Sequence, residues 1–181
     1  MADDDRALVA DCLRGRVESF ELLVTRHQKT IFNVILRMVG DYDDARDIAQ
    51  AAFVKAFENL NSYNSSYEFF SWLYRIDMNE AINHLNRKKR QVPIPANLAS
   101  HAPNPAEALH SKEVNVLVQN AISELSIDYR AVLVLKHFTD MSMRELAYIL
   151  EIPVKRVKSR LYTARQRLCE ILKSKGVSSS D

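Results

Sequence analysis

Only 3 glycines and 5 prolines punctuate 181 residues, and four of those prolines (Pro93, Pro95, Pro103 and Pro105) fall within residues 91–111. Sheets need frequent tight turns, and tight turns draw on those two residue types. A chain this poor in both is expected to be all-α, as two small helical domains that part where the prolines gather. Residues ahead of proline avoid the helical region, so no long helix crosses residues 91–111. That stretch reads as a flexible tether, able to reach roughly 70 Å when extended. A hydrophobic content of 47% supplies a core and argues against global disorder.

Four helices are expected before the tether. The first covers about Asp4–Arg14 and stops at Gly15. The second runs from about Val17 to Val39, with Phe20, Leu23, Ile31, Ile35 and Met38 at helical spacing and Gly40 as its C-terminal stop. The third opens at Asp41, a good N-cap, with Asp43 and Asp44 where the helix dipole favours negative charge. Ala45, Ile48, Ala52 and Ala56 give it a thin apolar edge. The fourth runs from about Glu68 into "HLNRKKR". Beyond the tether, helices are expected at about Lys112–Leu125, at "DYRAVLVLKHF" with Ser126 as cap, and at "SMRELAYIL" with Ser142 as N-cap. A last one begins at Pro153.

Net charge is +2, yet residues 152–175 hold eight Lys/Arg and one acid. In that stretch Val154, Val157, Leu161, Ala164 and Leu168 form one apolar stripe. The short "SMRELAYIL" helix followed by "PVKRVKSRLYTAR" has the layout of a helix-turn-helix. Its second helix starts with Pro153, which loses no needed hydrogen bond there. Lys155, Arg156, Lys158 and Ser159 are placed to reach base edges. Arg160, Tyr162, Thr163 and Arg165 are placed to reach phosphates. The alternative from residues alone is a solvated basic face on an ordinary amphipathic helix.

Six of the fifteen aromatics lie between Tyr63 and Tyr74, beside an Asn/Ser-rich loop at residues 61–66. Such a loop, followed by a helix ending in Arg87, Lys88, Lys89 and Arg90, suits stacking of unpaired bases next to a phosphate track. Phe69, Trp72, Leu73 and Ile76, at helical spacing, read instead as core. Asp47, Gln50 and Val54 share one face of the third helix, either a partner surface or plain solvated surface. No catalytic residue is expected. His27, His84, His101, His110 and His137 are scattered without metal-ligand spacing, and no glycine-rich phosphate loop exists. No metal or cofactor is therefore expected. Cys12 and Cys169 read as free thiols in a reducing compartment. The acidic N-terminus shows no secretory signal, and no apolar run suits a membrane span, so a cytoplasmic protein without membrane insertion is expected.

Five blocks in order carry a resemblance: "RGRVESFELLVTRHQ", "DARDIAQAAFVKAF", "FFSWLYRIDMNEAINHLNRKKR", "LSIDYRAVLVLKHF" and "MRELAYILEIPVKRVKSRLYTARQRL". Together they resemble a sigma-70 family RNA polymerase sigma factor of the extracytoplasmic-function (ECF) type, which keeps only regions 2 and 4. The resemblance implies region 2 over residues 1–90, a linker over 91–111 and region 4 over 112–176. It implies docking on core RNA polymerase through Asp47, Gln50 and Phe53. It implies capture of the melted −10 element by Asn61, Tyr63, Asn64, Ser65 and Tyr67, with Arg75, Asn79 and Asn83 facing the same DNA. The −35 duplex would be read by the eight residues from Lys155 to Arg165 named above. Core RNA polymerase, promoter DNA and an anti-sigma factor are the implied partners.

The chain departs from that pattern at Asp140 and Glu151, where glycine is usual, and at Lys155–Arg156, where Gly–Thr is usual. Asp77 replaces a small residue and is expected beside the −10 face, where an acid would weaken DNA binding. Two rival functions fit less of the chain. A helix-turn-helix regulator would bind an operator as a symmetric dimer. An all-helical enzyme would need a pocket with perturbed acids or a metal.

Overall fold

The computed structural model describes residues 2–91 and 109–176. These form eight α-helices and one 3₁₀ turn, with no strand among the described residues. The helices are α1 (Ala2–Leu13), α2 (Glu18–Val39), α3 (Tyr42–Glu58), α4 (Phe69–Gln91), α5 (Leu109–Glu124), α6 (Ile127–Phe138), α7 (Met143–Ile149) and α8 (Val154–Ser174). The all-α class is as expected. Most of the anticipated tether, with His101, lies outside the described residues, and α5 begins three residues before its expected start at Lys112.

Local chemistry sets the helix ends. Gly40 adopts φ 79°, and its N–H donates to the Leu36 carbonyl at 2.8 Å, closing α2 with a left-handed residue. The Asp41 carboxylate then accepts the Asp44 N–H at 2.9 Å and opens α3 one residue later. Ser142 and Glu145 form a reciprocal capping box on α7. Ser126, by contrast, begins α6 without a side-chain hydrogen bond, its carbonyl alone accepting the Arg130 N–H at 2.9 Å.

Helix α2 is the spine. Its Leu23, Ile31, Val34, Ile35 and Met38 are at most 1% exposed, each contributing about 1.5–3 kcal/mol by burial. It packs against α1, α3 and α4 on one side and against α5 and α6 on the other. The two halves of the chain are thus docked. Arg130 of α6 is buried, and its Nη1 donates at 2.8 Å to the Met38 carbonyl in the last turn of α2. That carbonyl has no partner within its own helix end, so the second half satisfies the first. Arg37 adds a 3.2 Å bond to Gln119 and lies over the Phe138 ring at 5.1 Å.

Near the middle of α2, Asp5 is buried against His27, with 2.9 Å between Oδ2 and Nε2, and also pairs with Arg26. Burial pushes the His27 imidazole below its ordinary value, although the Asp5 charge opposes the shift.

Asp77, expected beside the −10 face, does not lie at the surface. It is fully buried in α4, with neither carboxylate oxygen hydrogen-bonded to a described residue. Helix geometry accounts for the difference. Asp77 lies one turn beyond Leu73, itself completely buried, so the α4 face that packs on the first-half core carries Asp77 inward.

Candidate functional site

Helices α7 and α8 cross as a helix-turn-helix, held from behind by α6. Val157, Leu161 and Ala164 of the expected stripe are buried, and Val154 and Leu168 are half-buried. Lys155, Arg156, Lys158, Ser159, Tyr162 and Arg165 are exposed, and Arg160 and Thr163 are half-buried. Arg160 donates to Asp128 at 2.8 Å, which fixes it against α6. Tyr162 is 65% exposed, its hydroxyl accepting from Gln166 at 2.9 Å. Such an array presents positive charge and donors along one helix flank without an acid among them. The turn ahead of α8 is made by Glu151 at φ 53°, a left-handed conformation that favours glycine.

Behind this helix pair, Glu145 accepts the Ser142 N–H at 2.7 Å through one oxygen and the Ser71 hydroxyl of α4 at 3.2 Å through the other. Partial burial pushes its carboxyl up, but the Ser142 bonds lead a set that outweighs it and holds the group below its ordinary value. The capping box therefore also ties α7 to α4.

A second site lies at the head of α4, a cavity of about 680 Å³. Asn64, Tyr67, Arg75 and Asn79, all anticipated, line it together. Asn61, Ser65 and Asn83 are exposed but outside the cavity lining. Tyr63 has a supporting place. Its ring packs edge-on against Trp72 and Phe69 at 5.6 and 5.8 Å, and its hydroxyl donates to the Tyr67 carbonyl at 2.7 Å. The Asn64 carbonyl oxygen accepts the Ser66 N–H at 2.9 Å, an Asx turn that bends the loop tip.

Sequence reasoning missed Lys55, Asn59, Trp72 and Tyr148 as walls of this cavity. The first two carry a faint signal, standing four apart where α3 meets the loop. Trp72 is buried as core, yet its edge reaches the cavity. Tyr148 comes from α7, and no local pattern announces it.

The third feature is an apolar groove of about 870 Å³ between α2 and α3. Phe20, Val24, Phe32, Phe53, Val54 and Phe57 form its floor and walls, and Gln50 stands at its side. Val54 and Phe57 are 52% and 42% exposed. Of the three anticipated residues on α3, Gln50 and Phe53 line the groove. Asp47 lies outside it, exposed and paired with Arg46 at 3.4 Å. A groove this apolar on an otherwise charged surface is a mark of protein docking.

No group of three or more metal-ligating side chains occurs among the described residues, and no described helix is long and apolar enough to cross a membrane.

Comparison with known proteins matches both halves. Residues 23–91 fit the family description "Sigma-70 region 2", and residues 115–168 fit "Sigma-70, region 4". The RNA polymerase sigma-H factor of Pseudomonas aeruginosa is 33% identical, over 94% of this chain and 94% of its own. The ECF RNA polymerase sigma factor SigW of Bacillus subtilis is 32% identical, over 86% of this chain and 89% of its own. Among solved structures, CnrH in complex with the cytosolic domain of CnrY superposes with a TM-score of 0.73 at 26% identity. It covers 94% of this chain and 98% of that one. With this likeness running through both α8 and the α4 cavity, the chain belongs to the ECF group of the sigma-70 family of RNA polymerase sigma factors.

Proposed function

We propose that this chain is an alternative sigma factor that binds core RNA polymerase and directs it to promoters, reading the −35 element as duplex and the −10 element as melted strand. One observation supports this most. A single chain carries both an exposed basic reading helix and, on its other half, an Asn- and aromatic-lined cavity suited to an unpaired base. Residues 1–90 act as region 2, 91–111 as linker and 112–176 as region 4. Lys155, Arg156, Lys158 and Ser159 contact −35 bases, and Arg160, Tyr162, Thr163 and Arg165 contact its backbone. Asn64, Tyr67, Arg75 and Asn79 hold the −10 strand. Asn61, Tyr63, Ser65 and Asn83 shape or flank that path. Asp47, Gln50 and Phe53 dock on the polymerase, with the apolar groove beside them.

The protein performs no chemistry of its own. Its effect is differential binding: capture of unstacked bases offsets the opening of the duplex, which costs a few kcal/mol per unstacked step. It works in the cytoplasm, with the polymerase and the chromosome. By likeness to CnrH, which was solved with the cytosolic domain of CnrY, an anti-sigma partner controls it and covers the polymerase-docking groove.

The test is a titration of labelled duplex promoter fragments with the chain alone, with core polymerase alone and with both. The expected result is sequence-specific retention only by the mixture. Tight specific binding by the chain alone, as a dimer, would support the operator-binding regulator instead.

A further inference from the structure

In the free chain, the Tyr67 face and the Arg75 guanidinium of the −10 cavity are already occupied. Tyr148 of α7 lies flat on Tyr67, ring centroids 3.7 Å apart and planes 13° from parallel. Arg75, on the same wall, is ion-paired with Glu151 and sits 5.2 Å over the Tyr148 ring. Every one of these contacts joins the two halves of the molecule. The partners offered to Tyr67 and Arg75 are an aromatic face and an anion, the two chemical features of a nucleotide. A base and the Tyr148 ring cannot occupy the same face of Tyr67, and a phosphate and the Glu151 carboxylate compete for one guanidinium.

A second, independent observation bears on Glu151. At φ 53° it occupies a backbone conformation that costs a side-chain-bearing residue energy and would be free to glycine. The chain keeps the carboxylate there nonetheless, and the carboxylate is on Arg75.

Resting on the reading of this cavity as the −10 site, we propose that the helix-turn-helix turn is a built-in nucleotide mimic. Tyr148 stands in for a base and Glu151 for a phosphate, so the free chain is closed to single-stranded promoter DNA until its halves part. The same docking draws the turn that precedes the −35 reading helix against region 2. Both DNA-reading elements are therefore held together in the resting protein.

The protein carries its own probe. Its single tryptophan, Trp72, lines the cavity, so quenching of its emission reports base entry at that place. Short random-sequence single-stranded DNA is titrated into the full-length native chain and into the Tyr148→Ala/Glu151→Gly double variant. If the closed form holds about nine-tenths of the population, the half-quenching concentration falls about tenfold in the double variant, because apparent affinity scales with the open fraction. Glu151→Gly alone, which relieves the left-handed strain and should fold, gives part of that fall with unchanged helix content by circular dichroism. An unchanged half-quenching concentration in both variants, each folded, overturns the mimic. Asn64→Ala in polymerase-directed promoter opening then separates the two failures. Slowed opening leaves the −10 reading standing and the mimic alone rejected, whereas normal opening rejects both.

Discussion

Asp77 has a buried carboxyl that the fold does not satisfy. Neither oxygen has a described partner, and the buried Tyr74 hydroxyl beside it is likewise unpaired. Burial first, and the Glu80 charge second, hold the Asp77 carboxyl well above its ordinary value of 3.8. The sign of the pH effect follows. Above pH 3.8 the unfolded chain releases this proton while the folded chain keeps it, so stability from this group falls as pH rises toward the folded value. Asp77→Ala should therefore stabilise the protein by about 1–3 kcal/mol at neutral pH, with a smaller gain near pH 4. Urea unfolding at both pH values measures it; a loss of stability at neutral pH would show that the carboxyl has a stabilising partner. The resemblance placed Asp77 beside the −10 face. Residues two apart on a helix, such as Arg75 and Asp77, face different directions, and only the packing of α4 decided which one turned inward. Tyr148 escaped notice for a related reason: its role depends on contact with Tyr67, far away along the chain.

At the level of elements, local chemistry was a good guide. Gly40, Asp41 and Ser142 mark helix ends because each supplies a left-handed backbone or a side-chain acceptor that a helix terminus lacks. The same logic anticipated Ser126 as a capping side chain, and there the hydroxyl makes no such bond. Ser142→Ala should destabilise the protein by about 0.5–2 kcal/mol. The Glu145 carboxylate keeps its bonds to the Ser142 backbone N–H and the Ser71 hydroxyl, so α7 stays tied to α4. Thermal unfolding measures the loss, and an unchanged midpoint would show that the Ser142 hydroxyl adds nothing as a cap. On α8, the exposed Arg156 has no salt-bridge partner among the described residues, while Arg160 is already committed to Asp128. Arg156→Ala should change base preference at one −35 position, costing about 1–3 kcal/mol of discrimination. Arg160→Ala should weaken binding across all sequences alike. Selection of bound fragments from a randomised −35 library separates these outcomes, and an unaltered preference for Arg156→Ala would remove it from the base-reading set.

For the whole molecule, the proline-rich interruption and the all-helical class were legible because they follow from composition. The docking of the halves was not. It rests on pairs such as Arg130 with the Met38 carbonyl and Arg37 with Gln119, separated by 92 and 82 residues, and no periodicity records partners so distant. What docking adds is that α8, the α4 cavity and the α2–α3 groove belong to one body, with the groove on an open face. On the proposed reading of these sites, promoter recognition would follow polymerase binding at that groove and separation of the halves.

The central claim is that this chain directs initiation. The most direct measurement is transcription reconstituted from the purified chain, sigma-free bacterial core polymerase and a pool of promoter fragments from the source genome. The account predicts transcripts from defined start sites only when the chain is present, with two shared upstream elements. It also predicts that Asn64→Ala slows promoter opening more than it weakens the closed complex. Defined transcripts in the absence of the chain, or none in its presence, would contradict it.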